Sequence, residues 1–309
     1  MPSLTFSSFD AYAAQIQQAT VRAMFLGPQQ KNWSLAYLTM TDLSVQWGRE
    51  GGANIIEGTS EPGGITFFMP RRNGHRITGD GHRMDSESLM VLIPGDEFCI
   101  SASDWNQWSS MWVSHQVLQS MCGLSDAILR WKTRVLQQSS ESVAVLRSTL
   151  EKLGQAVDEE PSAFESVRAI HTTERKLAEG IRQALDVPAA AIIAGRRALP
   201  RKQIMRQVMD FIDQHEGEYL SVADLASAAG SSERTLRTVF QEYFSVGPVR
   251  YLNVRTLHLA RQALRASDFS TTSVGEVLTR HGVWEFGRFA RDYRNLFGEL
   301  PSQTLRKNS

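Results

Sequence analysis

Two short stretches of this sequence place arginine and hydroxyl side chains where they could read the edge of a base. In the first, SSERTLRTVFQEYF, Leu236, Val239 and Phe240 recur at helical spacing and mark an inward face. Ser232, Arg234, Thr235, Arg237 and Thr238 are then left outside, toward the N-terminal half of the helix. Arginine can grip guanine O6 and N7 with two parallel hydrogen bonds, Ser and Thr can reach bases or phosphates, and a helix N-terminus attracts phosphate. In the second stretch, WEFGRFARDYRNLF, Phe289, Tyr293 and Leu296 turn inward, and Glu285, Phe286, Arg288, Arg291 and Arg294 turn outward. Glutamate can accept from cytosine N4, and Phe can meet a thymine methyl. Either stretch alone is equally well explained as a solvated helix face, and Phe286 could instead be buried against the helix before it.

The two stretches share one skeleton, and that changes the weighing. Phe240, Phe244, Pro248 and Leu252 recur as Tyr293, Phe297, Pro301 and Leu305, each 53 positions later. Upstream, Leu225 and Ala226 match Val277 and Leu278 at an offset of 52, so one residue is gained around the turn, where an insertion costs least. A repeat of this kind marks one supersecondary unit used twice. Ser221 fits an N-cap for a helix over Val222–Ala229, with Asp224 three residues on completing a capping box. Gly230 then permits a tight turn, and Ser231 or Ser232 caps the next helix. Ser273 and Gly282 play the same parts in the second copy, whose second helix is expected from about Trp284. Helix, short Gly-bearing turn and helix make a helix-turn-helix. Between the copies, PVRYLNVRTLHLARQALRAS reads as a long helix begun by Pro248, with Tyr251, Leu257, Ala260 and Leu264 placed to touch both units. Such a spacer would set two recognition helices in successive major grooves, roughly 34 Å apart.

With 309 residues, 42% of them hydrophobic, the chain has the length of two domains. Lys plus Arg equals Asp plus Glu at 33 each, yet residues 201–309 hold 15 basic and 12 acidic side chains, so this third is +3 and the rest −3. Cys99 and Cys122 lie in or beside apolar runs and form neither a metal-ligand spacing nor a disulfide framework. The start, MPSLTFSSFDAYAAQIQQA, has no basic leader and no apolar core, and no uncharged apolar run reaches 18 residues. A soluble, cytoplasmic protein without a membrane partner is expected.

Ahead of the repeat, Ser7 and Asp10 suggest a capping box for a short helix carrying Tyr12, Ile16 and Ala19. From Trp33 the texture becomes short apolar runs with Gly, Pro and Asn between them: WSLAYLTM, LSVQWG, ITFFMP, SLMVLIPG, EFCISAS and WSSMWVS. These read as strands of a sandwich or small barrel, with a hairpin at Gly79, Asp80 and Gly81 and a further turn at Pro94 and Gly95. His75, His82 and Glu87 raise a metal site, but their spacing matches no ligand pattern and a solvated loop is the plainer reading. Trp105, Trp108 and Trp112 could stack on a ligand and more often fill a core; Arg71 and Arg72 could hold an anion or simply flank the hairpin. After about residue 123 the spacing turns helical. Val143, Leu146, Leu150 and Leu153 form one stripe ending near Gly154, and Phe164, Val167, Ile170, Leu177, Ile181 and Leu185 form the next. The gap at Thr173 and Glu174 argues against a long coiled coil, so these helices are expected to pack on the β domain, with a second copy of the chain as the other candidate. Residues 187–200, VPAAAIIAGRRALP, read as a joint before a scaffold helix bearing Ile204, Val208, Phe211 and Ile212.

The stretches LASAAGSSERTLRTVFQEYF, RTLHLARQAL and GVWEFGRFARDYRNLFGELPSQTL resemble the AraC/XylS family of bacterial transcription regulators over about residues 201–305. The resemblance implies an all-helical reader with two helix-turn-helix units. Its base-contacting positions fall here on Arg234, Arg237 and Thr238, and on Glu285, Phe286, Gly287, Arg288 and Arg291. Gly287 has no side chain to read with, and Val283 stands where the family usually has Phe. The wording WEFGRFARDYRNLFGELPS is similar to regulators related to the ethanolamine operon regulator. The expected fold is therefore two-domain α+β. Residues 1–186 form a cupin-like β barrel or sandwich with a helical extension over about 123–186, residues 187–200 a linker, and residues 201–309 the DNA-binding domain. Expected partners are double-stranded DNA and a small-molecule effector, with RNA polymerase and a second copy as further candidates. No catalytic residue, metal or cofactor is expected. The rival readings are a cupin-type metalloenzyme with a helical appendage, which His75, His82 and His115 would have to serve, and a protein-interaction module that has lost DNA binding.

Overall fold

Alternation in the strands assigns each side chain of the N-terminal half to one of two faces, and the computed structural model shows what each face meets. It describes residues 3–28, 32–72, 76–120, 128, 132–137, 141–185 and 198–307. The chain divides into two compact units, Met1–Ala23 with Gln30–Ala194, and Met24–Gln29 with Gly195–Ser309.

In the first half the described strands are β1 (Leu4–Phe6), β2 (Ala19–Phe25), β3 (Trp33–Thr39), β4 (Leu43–Glu50), β5 (Asn54–Ser60), β6 (Gly64–Pro70), β7 (Ile77–Gly79), β8 (His82–Arg83), β9 (Ser88–Leu92), β10 (Glu97–Ala102), β11 (Asn106–Ser114) and β12 (Arg134–Gln137). They form a seven-stranded sheet, β1-β3-β4-β11-β6-β9-β12, and a five-stranded sheet, β2-β5-β10-β7-β8. No pairing joins the two among the described residues, so the architecture is two open sheets rather than a closed barrel.

One face of the larger sheet, with Leu43, Val45, Trp47, Ile65, Phe67, Leu89, Val91, Met111 and Val113, is covered by two helices. Numbering the helices from the N-terminus, α1 is Phe9–Ala13, α2 His115–Ser120, and the covering pair α3 (Glu141–Glu159) and α4 (Val167–Leu185). Leu146, Leu150, Leu177 and Ile181 supply the helical side, each nearly free of solvent and each contributing about 1.5–3 kcal/mol relative to exposure. The first expected stripe and Ile170 to Leu185 of the second pack there, but Val167 is 69% exposed, Phe164 lies in a short 3-10 helix before α4, and α3 does not stop near Gly154. A Cβ there would lie 2.9 Å from Trp47 Nε1, so the glycine admits the indole, whose Nε1 donates to Leu150 O at 3.0 Å. The gap in the second stripe has a reason of its own. Glu174 is 2% exposed, accepts from Asp42 N at 3.1 Å and faces His171 Nδ1 at 3.3 Å.

The opposite face of that sheet looks toward the smaller one: a Cβ at Gly79 of β7 would sit 2.7 Å from Met90 Sδ and 3.1 Å from Val135 Cγ2. The hairpin turn falls as expected, with positive φ at Asp80 (45°) and Gly81 (79°). The N-terminal helix is shorter than its sequence suggests. Ser8, not Ser7, caps it by accepting from Ala11 N at 3.2 Å, Ile16 lies beyond it, and Ala19 begins β2. His75 and Cys122 lie outside the described residues, as does most of the expected joint; His82 Nδ1 sits 3.1 Å from Asp80 O, and Cys99 is buried in β10.

The second unit is helical: α5 (Ala198–Gln214), α6 (Val222–Ala228), α7 (Glu233–Phe244), α8 (Pro248–Ala266), α9 (Val274–Arg280), α10 (Phe286–Phe297) and α11 (Pro301–Arg306). Its core takes Leu225, Leu236, Phe240, Phe244 and Tyr251 from the first repeat and Val277, Leu278, Tyr293, Leu296 and Leu305 from the second. Tyr251 of α8 stacks on Phe244 at 4.5 Å and meets Phe240 edge-on at 5.5 Å, while Tyr293 and Phe297 lie 4.5 Å apart. The aromatic positions that recur in sequence are thus the ones that hold each copy together.

Candidate nucleic-acid interface

The two first helices of the repeat are built alike. Ser221 accepts from Asp224 N at 3.2 Å while Asp224 Oδ2 accepts from Ser221 N at 2.8 Å; Ser273 and Glu276 do the same at 3.2 and 2.8 Å. These capping boxes satisfy donors that a helix start would leave open. They also stabilise the charged carboxylates: the Ser221 bonds hold Asp224 below the ordinary range, and the Ser273 bonds do so for Glu276. The turns follow with positive φ at Gly230 (55°) and Gly282 (69°), a conformation glycine adopts without steric cost. Helix α8, which touches α7, α9 and α11, sets the spacing between the copies.

The second helices differ. Ser232 caps α7, accepting from Thr235 N at 3.1 Å and lying 2.9 Å from Thr235 Oγ1. Ser232, Arg234, Thr235, Arg237 and Thr238 are all exposed on one side of α7, while Leu236, Val239 and Phe240 are buried on the other. Arg237 Nη2 pairs with Glu233 Oε2 one turn back at 2.9 Å, and Thr238 Oγ1 donates to Arg234 O at 3.0 Å. Both groups are solvent-exposed, so the ion pair is of the kind worth little and readily exchanged for a base edge or phosphate.

Helix α10 starts at Phe286 rather than Trp284, and Glu285 is its N-cap without a side-chain cap bond. Glu285, Phe286, Gly287, Arg288, Arg291 and Arg294 are exposed, so the outward set expected from sequence is outward in space. Phe286 is 44% exposed and stands near α9, 4.0 Å from where a Cβ on Gly275 would be. Arg288 lies between two acids, 3.5 Å from Glu285 and 3.9 Å from Asp292, and Arg291 is 3.5 Å from Asp292. The α10 face therefore carries carboxylates beside its guanidiniums.

Two features were not anticipated from the sequence. Trp284, next to the N-cap, is 74% exposed, and Tyr219 is 82% exposed. Both line a cleft of about 500 Å³ with Arg255, His281, Glu285 and Arg288. The backbone of the loop before α6 also presses on the second turn: a Cβ on Gly217 (φ 89°) would sit 2.8 Å from Arg280 O, and one on Gly282 3.0 Å from Gly217 O. The only sequence signal for this is Gly217, the glycine in HEGEY. His281 stands at that turn, its pKa lowered by burial.

A family model described as a helix-turn-helix domain matches residues 225–307. The XylDLEGF operon transcriptional activator 1 of Pseudomonas putida is 37% identical over 101 residues, which cover 33% of this chain and 30% of that activator. The HTH-type transcriptional regulator YijO of Escherichia coli K12 is 23% identical over 238 residues, 75% of this chain and 80% of its own length. Among solved structures, the AraC-like transcriptional activator CuxR aligns over 90% of this chain and 98% of its own, with 14% identity and a TM-score of 0.46. The chain thus carries a helix-turn-helix domain, and it spans about a third of the length of the Pseudomonas putida activator that it matches. Among the described residues no helix is long and apolar enough to cross a membrane, and no group of three or more His, Cys, Asp or Glu side chains is placed to hold a metal.

Proposed function

We propose that this chain is a sequence-specific, double-stranded-DNA-binding transcription regulator of the AraC/XylS type whose N-terminal half senses a small molecule. The observation that carries it is the pair of helix-turn-helix units joined by α8, each presenting exposed arginines on its second helix. Residues 1–186 are read as the sensing domain, with a helical extension from about 123, residues 187–200 as linker and residues 201–309 as reader. In the reader, Ser232, Arg234, Thr235, Arg237 and Thr238 of the first unit and Glu285, Phe286, Gly287, Arg288 and Arg291 of the second form the contact surface. Arg237 and Arg234 are assigned bases, because α7 brings a capped, phosphate-attracting N-terminus with them. In α10 the acids beside Arg288 and Arg291 favour a positioning role near phosphates and a cytosine contact for Glu285.

The protein is read as cytoplasmic and without catalytic activity, contacting RNA polymerase once on DNA and pairing with a second copy. The wording of α10 and α11 favours the branch related to the ethanolamine operon regulator. Footprinting on the DNA upstream of genes adjacent to its own tests the reading. Two protected major-groove segments about 10 base pairs apart are expected. Binding that never exceeds a salt-sensitive, sequence-independent background would overturn it.

A further inference from the structure

The two recognition helices are held at their starts in different ways. Helix α7 follows an open turn, where a Cβ on Gly230 would meet no atom within 4 Å, and the Ser232 cap fixes its first residues. Helix α10 has neither property. Its N-cap, Glu285, makes no side-chain cap bond, and the turn before it is pressed from outside by the loop between α5 and α6. Gly217 in that loop has φ 89°, and a Cβ on it would lie 2.8 Å from the carbonyl oxygen of Arg280, the last residue of α9. In return, a Cβ on Gly282 would lie 3.0 Å from Gly217 O and 3.5 Å from Tyr219 N. The atoms in the way are backbone, so no side-chain rotation makes room, and only the absence of a Cβ lets the two main chains meet.

This contact joins the two helix-turn-helix copies. The loop leads into α6, the first helix of the first copy, and the turn leads into α10. Both sides are stiff. In the loop, His215 N donates to Phe211 O and Glu218 N to His215 O, each at 3.2 Å, the rings of Phe211 and His215 lie 4.0 Å apart, and the Ser221–Asp224 capping box fixes the exit. In the turn, Gly282 N donates to Thr279 O and Val283 N to Leu278 O, each at 3.0 Å. Helix α8 already ties the copies together through α7 and α9. The cleft of about 500 Å³ is lined by Gly217 and Gly282 and also by Leu252 and Thr256 of α8, so the loop–turn contact is a tie separate from the helix. One tie leaves the copies able to twist about it, and a second removes that freedom. Rotation matters to a reader of two half-sites, because each added base pair turns the second site by about 34° around the DNA axis.

We propose that the Gly217–Gly282 contact fixes the rotation of α10 relative to α7 and so sets the half-site spacing that the reader accepts, with Gly217 as the positioning residue. This rests on the DNA-binding reading above. The full chain is titrated by fluorescence anisotropy against its footprinted operator and against the same operator with one base pair inserted between the two protected segments. The parent is expected to lose about tenfold or more in affinity on insertion. Gly217→Ala is expected to bind the natural operator about tenfold more weakly and to lose no more than about threefold further on insertion. Gly230→Ala puts the same methyl on a positive φ in the open turn, so it should keep the parent's insertion penalty. Should Gly217→Ala fail to fold, a glycine added between Gly217 and Glu218 slackens the same loop and is held to the same expectation. A parent indifferent to the insertion, a loop variant that keeps the full penalty, or a Gly230→Ala chain that relaxes it equally would each overturn the proposal. Without DNA, Gly217→Ala should speed amide hydrogen exchange at Gly282 and Val283 by about tenfold and leave Gly230 and Ser231 near the parent's rates. Unchanged exchange at Gly282 and Val283 would sink the brace, whereas a parent that binds no specific DNA would sink the regulator reading.

Discussion

The two helix-turn-helix units keep one frame and carry different chemistry on it. In the frame, Ser221 and Ser273 cap the first helices through matching boxes, Gly230 and Gly282 turn, Phe240 and Tyr293 fill equivalent core positions, and Pro248 and Pro301 start the following helices. On the reading faces the likeness ends. Helix α7 has a serine cap and Arg237 with a single exposed acid partner, whereas α10 has an unbonded Glu285 at its cap and Arg288 between two acids. The turns differ too. A Cβ on Gly230 would meet nothing within 4 Å, while Gly282 is braced by the backbone of Gly217. Packing constrains what recurs, and the solvent-facing positions are left to diverge.

Three experiments press on that contrast. The largest effect is expected in the shared frame, where Phe240→Ala should cost about 3–5 kcal/mol in urea unfolding. Tyr293→Phe, which keeps the ring and loses only the 2.7 Å contact with Thr304, should cost about 1 kcal/mol. Similar losses from the two changes would mean that the hydroxyl network, rather than ring packing, holds the second copy. Next comes specificity. Arg237→Ala should reduce specific affinity by about 1–3 kcal/mol at one base pair, read by fluorescence anisotropy on single-base operator variants. Arg288→Ala should cost less and chiefly flatten the salt dependence. A uniform loss across sequences for Arg237→Ala would move that residue to the phosphates and erase the ranking of the two helices. The smallest effect concerns the caps: Ser232→Ala should lose about 1 kcal/mol of stability and Glu285→Ala no more than about 0.5 kcal/mol, since only a charge–dipole interaction and the exposed ion pair with Arg288 are removed. Equal losses would show that Glu285 caps α10 after all.

Where the sequence spoke plainly, the signal was periodic. The main stripes of α3 and α4, the six strands read from short apolar runs between turn residues, the hairpin at Asp80 and Gly81, and both helix-turn-helix units follow from spacing and turn chemistry. What it hid depended on distant neighbours. Gly154 looks like a helix end until Trp47 is seen lying over it, and Glu174 looks like a break in an apolar stripe until Asp42 N is found donating to it. Strands β2 and β5 escaped notice because Arg22 interrupts ATVRAMF, and Glu57 and Gly58 interrupt NIIEGTS, so neither is a continuous apolar run; the exposure in β2 alternates because the sheet gives it two faces. The candidate contact residues were legible as outward positions, but the acid partners of Arg288 and the brace on Gly282 were not.

By itself the sequence determined the inward faces of the helices, the turns and the capping boxes, because each depends on residues within four or five positions of one another, and it determined the repeat because both copies can be laid side by side at offsets of 52 and 53. Tertiary structure decided whether the β half closes, which indole finds a carboxylate, and which turn is braced. Those outcomes hang on pairs such as Trp108 with Glu50, or Gly217 with Gly282, that are brought together only when distant segments pack, and no local spacing encodes such a meeting.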